Sequence, residues 1–154
     1  MRAVIRSKSL RAVLHGEPLG HPAHPLLVQV PLGAWISASM LDLVPGGGRP
    51  ARHLVGAGLL ASGGAIAAGV VDWSDLDPEQ QRTGWVHAAI NTTALALYAA
   101  SWRDRRNGRT GRGKLLGFAG LLVVSGGGWL GGHLAYRQRA GVSRHGEVPF
   151  SEDV

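Results

Sequence analysis

The chain has 154 residues, no cysteine, and only 17% charged residues against 45% hydrophobic ones. The length allows one domain. The missing cysteines exclude disulfides, thiol nucleophiles, cysteine-ligated iron–sulfur clusters and covalent c-type haem. The net charge is +6, from 16 Lys and Arg against 10 Asp and Glu.

Residues 1–20 form a basic segment. Arg2, Arg6, Lys8 and Arg11 are spread through it without the unbroken apolar core of a secretory signal. It is expected either to lie on anionic headgroups as an interfacial helix or to fray.

Four stretches then carry almost no charge: 25–44, with Asp42 near its end, 54–71, 85–102 and 115–136. Each is 18 to 22 residues long. A helix rising about 1.5 Å per residue crosses a bilayer core in about 20 apolar residues. The stretches are apolar or small all round, without the polar stripe of a soluble helix. They predict an all-α, integral membrane four-helix bundle, up-down-up-down, spanning residues 21–142, with both termini on one face, here face A. Residues 143–154 are a polar tail.

The boundaries have local causes. In His21-Pro22-Ala23-His24-Pro25 each His precedes a proline and is pushed to extended backbone. Pro25 suits a first helical position, and Pro31 predicts a kink in the first span. Pro45-Gly46-Gly47-Gly48 ends that span, an acidic connection follows the second, and the basic stretch Arg103 to Lys114 follows the third. The basic stretch beside a span meets phospholipid headgroups rather than nucleic acid. Ala57, Ala61, Ala65 and Gly69, and the pairs Gly127/Gly131 and Gly128/Gly132, predict tight helix packing and offer faces for a homo-oligomer.

In this topology His21, His24, His87 and His133 lie at face A. His53 alone ends a span on the opposite face B, and His15 and His145 lie in the tails. Ionisable residues in spans are costly and usually functional. Neutral imidazole ligates both metals and haem. The four histidines are therefore candidate ligands for a b-type haem or, as a set of four, for a transition metal. Asp72, Asn91, Trp129, Tyr136 and Arg137 are expected to orient them or flank them. The polar stripe His87, Asn91 and Tyr98 also suits a small permease, but the face B half looks apolar. Gly and Ala faces alone suit a cofactor-free assembly subunit. No hydrolase, P-loop or dinucleotide motif is present.

The segments HPAHPLLVQVPLGAW, VVDWSDL, GWVHAAIN and GGHLAYRQRAGV together resemble a family of bacterial four-span membrane proteins, domain of unknown function 2231. Some relatives continue into a Rieske-type iron–sulfur domain. The resemblance implies a membrane redox setting, electron transfer at the His cluster, a Rieske-type or other redox partner, and placement in the bacterial cytoplasmic membrane. Without cysteine, this chain holds no such cluster itself. The Lys and Arg count ties at eight for each face. The signal-less basic amino terminus then places the termini in the cytoplasm.

Overall fold

The structure, a computed structural model, describes residues 7–140. Residues 1–6 of the basic segment and the polar tail 143–154 lie outside the described residues. Among the described residues the chain is all α-helical, without strands. Its helices are α1 (Lys8–His15), α2 (Ala23–Leu27), α3 (Gln29–Leu41), α4 (Gly48–Trp73), α5 (Pro78–Arg106) and α6 (Thr110–Gly132). A five-residue π turn, His133–Arg137, continues α6.

Local sequence sets the ends. Ser7 caps α1, and Gly16 closes it at φ 83°. A side chain there would strike the His21 carbonyl, so glycine is required twice over. The first expected span is divided at Val28, three residues before Pro31. Pro31 has no N–H to give the carbonyl one turn back, which is why the break lies there. Asp77 caps α5 through a reciprocal box with Gln80, and Pro78 takes the first position. α5 runs past Trp102 to Arg106, so the expected basic loop shrinks to residues 107–109.

Two ends are built by side-chain contacts. At face B, Arg105 of α5 reaches Asp42 after α3, and Lys114 of α6 donates to the Asp42 carbonyl. At face A, Trp73 of α4 donates to the Gln81 carbonyl, and Gln80 to that of Gln138. Between them Trp35 stacks on Tyr98, with centroids 4.0 Å apart and planes at 13°. The Trp35 ring lies on Gly58 and donates to the Val55 carbonyl. Ala38, Ala51 and Val55 complete this core.

The buried face of α4 is Ala51, Val55, Gly58, Ser62, Ala65, Ala68 and Val71. It shares only Ala65 with the Ala57–Gly69 ladder expected from the sequence; Ala57 is exposed.

The α5–α6 pair shows a regular rule. A Cβ on Gly131 would meet His87, on Gly127 Asn91, on Gly120 Tyr98, on Gly117 Ser101 and Arg105, and on Gly113 Arg105. The polar positions 87, 91, 98, 101 and 105 climb α5 in steps that the glycines 131, 127, 120, 117 and 113 descend on α6. The two helices are antiparallel, and each large polar side chain of α5 lies over a residue without one. At the remaining position of the register the roles reverse: Ala94 is the small buried residue on α5, and Val124 stands on α6. Gly128 has nothing within 4 Å of a Cβ, and Gly132 meets only Tyr136 at 4.0 Å. The second glycine pair therefore plays no part in close approach.

Among the described residues, only α4 and the α6 run through Arg137 are long and apolar enough to cross a membrane by length and composition alone. α5 is long enough but carries the polar ridge, and the first segment is broken at Val28.

Candidate functional site at face A

His24 and His87 are the histidines that the fold brings together. Their ring centroids are 6.4 Å apart in an edge-on arrangement. His24 sits at the start of the bundle on α2, in a notch left by Gly69. Its Nδ1 lies 2.8 Å from the Ala65 carbonyl of α4 and, facing an acceptor, carries the proton and donates. His87 repeats the arrangement, with Nδ1 donating to the Gly127 carbonyl of α6 at 3.0 Å. With Nδ1 protonated, Nε2 of His87 is the acceptor, and the Asn91 amide donates to it at 3.0 Å. The same amide lies 2.9 Å from the His87 carbonyl. Both ring nitrogens of His87 are thus engaged inside the protein. α2, α4, α5 and α6 are joined by this pair, since His24 binds α4, His87 binds α6, and the rings meet.

His133 takes a different place. Gly131 is the residue opposite His87, and a helix turns about 100° per residue. Two residues on, His133 points well away from that contact. Its ring lies 6.0 Å from Trp129, which is 74% exposed. Tyr136, on the same face, is 88% exposed, and Arg137 is exposed as well. Trp129, Tyr136 and Arg137 were expected to flank an inward histidine; the face they share is the outer one. His21 is exposed in the turn before α2.

Asp72 was expected beside the cluster, and it serves another histidine. His15, assigned to a tail in the sequence, places Nδ1 2.8 Å from Asp72 and Nε2 3.0 Å from Asp75. Arg11 also pairs with Asp75. These contacts hold α1 against the end of α4. The signal for them was readable: Arg11 and His15 are one helical turn apart, facing Asp72 and Asp75, also one turn apart.

A tetrahedral metal site needs three or four ligands. Among the described residues no group of three His, Asp or Glu side chains is placed to hold a metal ion. The His24–His87 pair offers one ring nitrogen not already engaged, Nε2 of His24. As arranged, the residues do not fit a bound metal, and a haem would need Asn91 to release His87.

The second polar centre, at face B, was not expected. Arg105 forms a two-pronged contact with Asp42, at 2.7 and 2.5 Å, and both side chains are 2% exposed. Ser101 donates to the Gly113 carbonyl and receives the Arg105 Nε–H. The face B half of the bundle is therefore polar along its axis, although its outside is apolar.

The family described as predicted membrane protein, DUF2231, matches residues 20–144. The chain belongs to this family. The match covers both the His24–His87 pair and the Asp42–Arg105 centre. No curated protein and no solved structure matches. As a DUF2231 member the chain is a membrane protein in contact with the lipid bilayer.

Proposed function

We propose that the chain is a four-span, cofactor-free structural subunit of a membrane assembly, with an up-down-up-down bundle pinned at face A by histidines. The observation that carries this is the ring of His87, whose nitrogens are both committed to protein partners. A histidine so placed ties helices together, in a bilayer where apolar burial gives no force between them. Exposed Gly63 and Gly64, with nothing near a Cβ, leave α4 an outward face for a helix of a partner or a second copy. Four spans require one topology. Cysteines placed at Ser7 and Ala140 should react with an impermeant reagent from the same side, and labelling from opposite sides would end the four-span reading.

One observation favours the redox alternative. Both histidines donate Nδ1–H to backbone carbonyls, the hydrogen bond that orients imidazole ligands in metal sites. Such a group, a haem b, would supply electron transfer, and His24 and His87 would hold it once Asn91 released His87. Absorption spectroscopy with metal analysis of gently purified protein decides between the two. The structural reading expects no Soret band and substoichiometric metal. It also expects His87→Ala to lower the thermal midpoint in detergent, by an amount matching about 1–3 kcal/mol for a stranded carbonyl and amide. A stoichiometric cofactor lost in His87→Ala would establish the redox reading instead.

A further inference from the structure

We propose that face B is a docking surface for anionic phospholipid, with lipid phosphates seated among Arg49, Arg103 and Arg106. The assignment rests on the membrane placement proposed above.

The argument starts from which charges are already used. Two acidic residues lie at this end of the described chain, Asp42 and Asp104, and both are buried, at 7% and 5% exposure. Asp42 is taken by Arg105, and Asp104 by Arg109 and Arg112. Eight basic residues share the end: Arg49, Arg52, Arg103, Arg105, Arg106, Arg109, Arg112 and Lys114. Inward pairing thus hides the carboxylates and leaves a rim of one sign. Arg49, Arg103 and Arg106 are exposed on it, and among the described residues none of them pairs with a carboxylate. Face A is different. There, among the described residues, Lys8, Arg11, Arg82, Arg137 and Arg139 are matched in number by Glu17, Asp72, Asp75, Asp77 and Glu79.

A second observation sets the depth. The Arg106 guanidinium lies 4.7 Å over the Trp102 ring, and that ring rests on Gly56 of α4. Tryptophan collects at the level of the headgroups. Arg106 sits just beyond it, where phosphate is found. Guanidinium pairs with phosphate through two parallel N–H donors, and juxtamembrane basic residues are drawn to anionic leaflets.

The test uses the full chain in a neutral detergent. Phosphatidylglycerol or phosphatidylcholine with the same acyl chains is titrated in, and retained lipid is counted by native mass spectrometry. Phosphatidylglycerol should be retained at least tenfold better at low salt, and most of that preference should vanish at 0.5 M salt. The Arg49→Gln/Arg103→Gln/Arg106→Gln protein should lose the preference, at about fivefold for each arginine. The face A control Arg82→Gln/Arg137→Gln should keep it. Should the triple variant fold poorly, Arg103→Gln alone should still weaken retention severalfold. Equal retention of the two lipids by the wild type, or equal loss in the face A control, overturns the proposal. So does displacement of the lipid by inorganic phosphate but not by chloride at matched ionic strength, which would mark a site for the free anion. Extraction of the protein from membranes by alkaline carbonate would instead overturn the membrane placement.

Discussion

Arg105→Met should be among the most damaging single substitutions in the chain, lowering stability in detergent by about 3–5 kcal/mol. The change leaves the Asp42 carboxylate buried, at 2% exposure, with its guanidinium partner gone. Ser101 loses a donor as well. Lys114 already donates to the Asp42 backbone carbonyl. The pair itself is a different matter from its halves. Two charges taken from water recover their desolvation cost only through close geometry, and apolar replacements of both are often tolerated. The double variant Asp42→Leu/Arg105→Met should therefore recover most of the loss. Thermal unfolding of the single and double variants measures this, and a double variant as unstable as the single would show that the charge pair contributes more than mutual neutralisation.

Gly120→Leu should rank beside it, costing about 3 kcal/mol, the upper end for overpacking. A Cβ at this position already falls 3.0 Å from the Tyr98 ring. Tyr98 has no room to step aside, because Trp35 is stacked on its ring and the residue is 0% exposed. Gly127 is a softer case, since the neighbour there is the rotatable end of Asn91. Gly128→Leu is the control: nothing lies near its Cβ, so the thermal midpoint should hold. Equal losses at positions 120 and 128 would contradict the α5–α6 register.

The family and the helical class were legible from His21-Pro22-Ala23-His24-Pro25 and the charge-free runs, and the break before Pro31 followed from its missing N–H. The depth of His24 and His87 was also legible, because helix rise alone fixes it. Facing was harder. His133 lies near the same depth as His87, but depth is set by 1.5 Å per residue and facing by about 100° per residue, so two residues separate the glycine opposite His87 from a half-buried histidine beside exposed Trp129. The exposed Trp129 and Tyr136 carried that information, since they share the His133 face. Asp42 and Arg105 are 63 positions apart, and Arg105 stands among other arginines with no local mark of its burial. Its only sequence signal was relational: it continues the stripe from His87 through Tyr98 and Ser101, and α6 mirrors that stripe in glycine.

That mirrored stripe bears on how the chain enters a bilayer. α5 presents His87, Asn91, Tyr98, Ser101 and Arg105 along one side, and on its own would expose them to hydrocarbon, where each unsatisfied polar group costs several kcal/mol. α6 is apolar enough to partition by itself, and its backbone carbonyls at Gly113 and Gly127 receive hydrogen bonds from α5. The three-residue link at 107–109 is too short to let one helix wait far from the other. In the four-span arrangement proposed above, the two helices would form a single insertion unit, a hairpin whose second arm carries the first across. During synthesis α5 would have to remain in the translocation channel or at the interface until α6 emerges, and a stop placed after Arg106 would leave it outside the bilayer core.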